Sequence, residues 1–149
     1  MRAVRREDAA GVAVLLGQLG YPTDGAAVRE RLTYWLGDEA SVLLGADDDG
    51  QLVGVAALHV CPILEVTGKF GRVVALVVDD RYRGQGVGRS LMAEMEKRAY
   101  AAGCILMEVT SGGHRESAHR FYAGLGYQDA HERSKRFTKF LPGDTKEPV

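Results

Sequence analysis

The chain has 149 residues, 46% apolar and 26% charged, with 19 Lys+Arg against 20 Asp+Glu for a net charge of −1. That size and mix point to one globular domain able to bury its own core, not a disordered chain or a disulfide-built miniprotein. The near-neutral balance speaks against a general nucleic-acid binder, whose surface is normally basic. No apolar run approaches the roughly 18 residues of a membrane span.

Residues 1–4 read as a short strand. Residues 1–6 are basic and 9–16 apolar, an outline shared with signal peptides. Glu7 and Asp8 interrupt the basic region, however, and Val12, Leu15, Leu16 and Leu19 recur at i, i+3, i+4, i+7, one face of an amphipathic helix. With two isolated thiols, Cys61 and Cys104, the expected setting is cytoplasmic. Asp8 is placed to cap that helix and Gly20 to stop it. Asp24 opens a second helix carrying Val28, Leu32, Trp35 and Leu36, which Gly37 ends. A strand over residues 41–46, a turn at Asp47-Asp48-Asp49-Gly50 and a return strand over 52–61 form a hairpin, because Asp and Gly tolerate positive φ. Residues 73–78 are continuously apolar, the mark of a strand covered on both faces.

A glycine-rich turn then leads into a helix over 86–102 with Leu91, Met92, Met95 and Ala99 on its apolar stripe. A strand over 105–110 follows, parallel to its predecessor because a helix connects them. Ser117 begins a last helix with Ala118, Phe121, Tyr122 and Leu125 on one face, closed by Gly126. Two closing strands are expected around 127–130 and 135–140. The order β-α-α-β-β-β-α-β-α-β-β describes a three-layer α/β domain with a mixed central sheet over residues 1–141, and a loose tail over 142–149.

The run Arg81-Tyr-Arg83-Gly84-Gln85-Gly86-Val87-Gly88-Arg89 carries the chemistry. A helix start leaves backbone N–H groups unpaired and its dipole makes that end positive, which suits phosphate. Glycines let a ligand approach the backbone, and Arg81, Arg83 and Arg89 add charge. Together they point to a phosphorylated ligand, a pyrophosphate. The nucleoside-triphosphate loop needs Gly-Lys-Ser/Thr, which is absent. A dinucleotide fingerprint needs a third glycine where Arg89 stands, so a nicotinamide enzyme is disfavoured. His114 and His119 do not share a helix face, and no metal site is expected.

Arg83-x-x-Gly86-x-Gly88 after a strand resembles the acetyl-CoA loop of the GNAT N-acetyltransferase superfamily, and the element order is that superfamily's order. The run Ala118-His-Arg-Phe121-Tyr122-Ala-Gly-Leu-Gly126-Tyr127 resembles its second recurrent motif. The closing stretch with Arg136, Phe137 and Lys139 is similar to small-molecule N-acetyltransferases, including aminoglycoside 6'-type relatives.

The resemblance implies an acetyl-CoA-dependent acyltransferase acting on a primary amine of a small molecule or peptide. It places the pyrophosphate on the backbone of Gly84, Gln85, Gly86, Val87 and Gly88, flanked by Arg83 and Arg89. The pantetheine arm would lie along Leu76, Val77 and Val78. Tyr122 becomes the candidate general acid, because a phenol is still protonated at neutral pH. On periodicity alone it is a core tyrosine. Many relatives carry a glutamate base where this chain has Val74 and Ala75. Glu108 is the substitute, with a surface salt bridge as the plain alternative, and Asp79, Glu65 and His59 are further options. Many relatives carry Asn where this chain has Arg115. The acceptor region would include Tyr21, Asp24, Tyr34, Trp35 and Glu65. Cys61 and Cys104 read as buried, inert thiols, so direct transfer is expected. A homodimer is expected by analogy. The competing reading is a non-catalytic acyl-CoA-binding regulatory module on the same fold.

Overall fold

A computed structural model of the chain describes residues 1–111 and 115–143. His114 and tail residues 144–149 lie outside the described residues. The chain forms two compact units, Met1–Thr110 and Ser111–Val149.

In the first unit a sheet runs in the order β1-β2-β3-β4-β5. Its strands are β1 (Arg2–Ala3), β2 (Ser41–Asp48), β3 (Gln51–Pro62), β4 (Lys69–Val78) and β5 (Cys104–Val109). The first four pair antiparallel and β4 pairs with β5 parallel, as the intervening helix requires. The β2–β3 hairpin turns at Asp49 (φ 50°) and Gly50 (φ 87°), with the Asp47 carboxylate accepting from Gly50 N at 2.8 Å.

Helices α1 (Ala9–Leu19) and α2 (Gly25–Gly37) cover one face of the sheet. Val12, Leu15, Val28 and Leu32 are buried there with Val55 and Val77. Helix α3 (Val87–Ala101) covers the opposite face. A Cβ at Gly54, the neighbour of Val55 on β3, would stand 3.1 Å from Leu91 and 3.2 Å from Val87. Three layers therefore form in this unit, with Leu91, Met92 and Met95 fully buried under α3.

Asp24 caps α2, accepting from Ala27 N at 2.8 Å, and Gly20 (φ 105°) ends α1. Asp8 departs from expectation. Its carboxylate accepts from Arg5 N at 2.7 Å and from the Arg2 guanidinium at 2.7 and 2.9 Å, so it holds the turn before α1 instead of the helix's own N–H groups. Trp35 is half-buried and Leu36 is exposed. The chain also departs from a fully covered β4. Val73 and Val77 are buried, but Val74 is 50% exposed, because pairing with β5 stops at Val73.

The second unit contains α4 (Glu116–Gly124). The two expected closing strands are not formed among the described residues 127–143. Local bonds occupy the backbone around residues 129–134 instead. The Ala130 carbonyl accepts from Arg133 N and Ser134 N at 2.9 Å, and the Asp129 carboxylate accepts from His131 N at 3.0 Å. Such side-chain and turn bonds compete directly with a strand ladder.

Candidate active site

Strand β4 aims at the glycine-rich turn, and its register explains what it offers. Against β3 it is paired through Gly54↔Val78, but against β5 the pairing runs only from Lys69↔Cys104 to Val73↔Val109. Among the described residues, 74–78 therefore present one edge with no strand paired on the β5 side. Leu76, Val77 and Val78 all lie on that parted segment. One residue is inserted where it begins: Ala57 pairs with Ala75 and Leu58 with Val73, which leaves Val74 as a bulge.

The chain then passes through a short 3-10 turn, Asp80–Tyr82, into α3. Gly84 (φ 74°) and Gly86 (φ 84°) sit in left-handed backbone, with open space where a Cβ would stand. Ser90 N is bonded to the Gly86 carbonyl at 3.0 Å, so the N–H groups of Val87, Gly88 and Arg89 precede the first helical bond. These residues place backbone N–H groups at the positive end of a helix, an arrangement suited to an anion.

The arginines are not all free for that task. Asp79, only 3% exposed, accepts from Arg81 N at 2.9 Å and from its guanidinium at 3.1 Å. Arg83 pairs with Asp80 at 2.8 Å and donates to the Val78 carbonyl at 3.2 Å. Arg89 has no ion-pair partner among the described residues. The loop is further tied by Gln18, whose side-chain oxygen accepts from Asp80 N at 2.9 Å, and by Tyr82, whose hydroxyl donates to Asp48 at 2.7 Å.

The hydrogen bonds from Arg81 hold the Asp79 carboxyl down to about 2. A depressed carboxylate stabilises the fold above its ordinary value near 3.8 and loses that contribution as pH falls towards 2. We expect Asp79→Asn to have a lower melting temperature than the parent at pH 5–7. The gap should close between about pH 4 and pH 2, as read by melting curves across pH.

Glu108 lies on β5 directly opposite Arg72 and is ion-paired with it, accepting from Arg72 Nε at 2.6 Å. Arg72 also stands over the Phe70 ring at 5.6 Å. Cys61 and Cys104 are both half-buried, and burial pushes the Cys104 thiol up, away from the thiolate a nucleophile needs. Of the acceptor candidates, Asp24 is spent as a helix cap, while Tyr21, Tyr34 and Glu65 are exposed.

In the second unit Tyr122 packs edge-on against Phe121 at 5.2 Å and Tyr127 at 6.0 Å. Its carbonyl accepts from Leu125 N and Tyr127 N at 3.0 Å, ending α4. Burial pushes its phenol above the ordinary value, with the Arg115 charge opposing. Two features escaped sequence reasoning. Gly54 makes room for the first turn of α3, and Ser41 bonds to both Asp38 and His59. A lone glycine or serine in a strand carries no readable pattern until its cross-strand neighbour is known.

Comparison with known proteins decides the family. The model of the acetyltransferase (GNAT) family matches residues 15–127. The chain belongs to the GNAT family. It is 39% identical over 93 residues to an aminoalkylphosphonate N-acetyltransferase of Salmonella typhimurium, across 62% of this chain and 58% of that protein. It is 34% identical over 88 residues to a glucosamine 6-phosphate N-acetyltransferase of Trypanosoma brucei brucei, across 58% of this chain and 57% of that protein. The chain thus spans less than two thirds of the length of these curated relatives. A solved aminoglycoside N-acetyltransferase in complex with CoA has the same fold, with a TM-score of 0.78 at 17% identity over 96% of this chain and 93% of that one. In this GNAT chain, the parted edge of β4 and the loop into α3 both lie within the matched residues 15–127.

Proposed function

We propose that the chain is an acetyl-CoA-dependent N-acetyltransferase acting by direct transfer on a primary amine of a small molecule or peptide. The observation that carries this reading is the parted β4 edge over residues 74–78 running into Gly84, Gly86 and the unpaired N–H groups of α3. An extended amide-bearing arm fits the first part and a pyrophosphate the second. Both named relatives act on amines that also bear a phosphorus oxyanion. Such amines are the first acceptors to try.

In this reading the backbone from Gly84 to Gly88 holds the pyrophosphate, with Gln85 and Val87 in the same turn and Arg83 and Arg89 beside it. Leu76, Val77 and Val78 supply backbone partners to the pantetheine arm. Acetyl-CoA brings the acetyl group as an activated thioester. A strand-edge N–H near Val78 would stabilise charge developing on its carbonyl oxygen. Tyr122 protonates the departing thiolate, and its raised pKa keeps that proton available. Glu108 stands as an acidic group beside the acceptor. The half-buried, protonated Cys104 supports transfer without an acyl-enzyme. A single transferase domain over residues 1–141, a cytoplasmic setting and a homodimer belong to the same reading, the last by analogy of fold alone.

Val74 and Ala75, where many relatives carry a glutamate, favour a second reading, a non-catalytic acyl-CoA-binding module. One experiment separates the two. Acetyl-CoA and CoA at ~100 times Kd should each add about 2.7 kcal/mol of stability. That raises the melting midpoint by several degrees, at roughly 2–4 °C per kcal/mol for this size. NADH should not. Mass spectrometry of an aminoalkylphosphonate and glucosamine 6-phosphate incubated with acetyl-CoA then reads transfer. Binding without transfer to any amine would favour the module, and no binding would remove both readings.

A further inference from the structure

A row of polar side chains crosses four strands beside the mouth of the parted β4 edge. Ser41 is opposite His59, His59 opposite Arg72, and Arg72 opposite Glu108. Directly opposed side chains share a face and stand about 5 Å apart. On β3, His59 alternates with Ala57 and Val55, so the row lies on the face that α1 and α2 cover further along. Here that cover has ended: His59 is 43% exposed and Arg72 50%. The row is also one residue from Val73↔Val109, where β4 and β5 separate.

The bonds around His59 determine where its protons sit. Asp38, in the turn between α2 and β2, accepts from Ala40 N at 3.1 Å and from the Ser41 hydroxyl at 2.6 Å. Ser41 Oγ is also 2.9 Å from His59 Nδ1, and Asp38 is 3.6 Å from the same nitrogen. Serine has a single hydroxyl proton. The Asp38 carboxylate has none to give, so that proton points to Asp38. Nδ1 must then be the donor to Ser41. In the neutral imidazole this leaves Nε2 bare, with its lone pair in partly exposed surroundings. The charged and titratable groups facing His59 are Asp38 from the turn, Arg72 from β4 and Cys61 two residues along its own strand. Glu108 is engaged with Arg72.

We propose that His59 Nε2 is the general base that takes the proton from the acceptor ammonium, with Ser41 and Asp38 as positioning residues that fix its tautomer. This rests on the acetyltransferase reading above. The ammonium gives one proton to Nε2 and becomes a neutral amine. Its lone pair forms the C–N bond at the thioester carbonyl as the C–S bond breaks. The thiolate is protonated, and the new amide nitrogen loses its second proton. The imidazolium releases its proton to water, so one ammonium and one thioester yield one amide, one thiol and one proton. A histidine base supplies what Val74 and Ala75 lack.

The test combines kinetics with imidazole nitrogen NMR. His59→Gln should lower turnover about 10²-fold at pH 7, the low end of general-base effects. Its melting midpoint and acetyl-CoA affinity should be unchanged. The acid-side limb of the kcat/KM profile should disappear, and the deficit should narrow as pH rises and the amine arrives deprotonated. Ser41→Ala should lower kcat more than it changes KM, and Ser41→Thr, which keeps the hydroxyl, should restore it. In the unaltered protein the NMR spectrum should show His59 protonated at Nδ1, a result that needs no variant to fold. Nε2 protonation, or His59→Gln acting like the parent across pH 6–9, would overturn the base while leaving the acetyltransferase reading intact. If the parent binds acetyl-CoA but acetylates no amine, that reading falls and the base role with it.

Discussion

Tyr122→Phe should lower turnover by about two to four orders of magnitude, the range for losing one positioned proton donor, while acetyl-CoA affinity stays as in the parent. The size follows from what the substitution removes. Phenylalanine keeps the ring that packs edge-on against Phe121 at 5.2 Å and Tyr127 at 6.0 Å. The backbone bonds from Leu125 and Tyr127 to the residue 122 carbonyl do not involve the side chain. Only the hydroxyl goes, so α4 should persist with its melting midpoint little changed. The pH dependence has a definite sign. Burial raises the phenol above its ordinary value of 10.0. A general acid acts in its protonated form, so the parent should lose the Tyr122 contribution only when pH rises past that raised value. Through the neutral range the ratio of parent to variant turnover should be flat. Steady-state rates from pH 6 to 10, with acetyl-CoA affinity measured alongside, check this. Equal turnover of the two proteins would return Tyr122 to a packing role.

Gly86→Val is expected to weaken acetyl-CoA binding by about tenfold to a hundredfold. Gly86 has φ 84° at the residue preceding α3, and its carbonyl accepts from Ser90 N. A β-branched residue cannot hold that backbone without strain of order 1–3 kcal/mol. Relief of the strain would rotate the first turn and re-aim the N–H groups of Val87, Gly88 and Arg89. One decade of affinity corresponds to about 1.4 kcal/mol, which sets the range. Space is not the obstacle, since nothing stands near a Cβ at this position. Gly88→Ala is the contrasting variant. Gly88 is not among the positive-φ glycines and lies inside the first turn of α3. Alanine there should leave affinity close to the parent's. Titration of both variants with acetyl-CoA, read by calorimetry, decides the matter. Parent-like binding by Gly86→Val would remove the loop from the binding site.

Strong local signals in the sequence carried much of this far. The face formed by Val12, Leu15, Leu16 and Leu19, the Asp24 cap, the Asp49-Gly50 turn and the stripe from Leu91 to Ala99 each depend on neighbours within a turn or two, so spacing alone reveals them. The glycine loop is legible for the same reason: left-handed backbone at Gly84 and Gly86 leaves its mark in residue type. Residues 127–140 offered weaker alternation mixed with Asp, Ser and charges, and there local turns around Asp129 and Ala130 won.

What the sequence by itself determined is the order of elements through α4, the parallel connection across α3 and the glycine-rich turn that leads into α3. Only the tertiary structure decided where β4 leaves β5, because register is set by pairing between strands distant in the chain. The same registers bring Ser41, His59, Arg72 and Glu108 into one row, although 67 positions separate its first and last members. In the turn after β4, folding also engages Arg81 with Asp79 and Arg83 with Asp80. A residue's charge is written in the sequence; whether that charge is spent on a neighbour depends on distances that only folding sets.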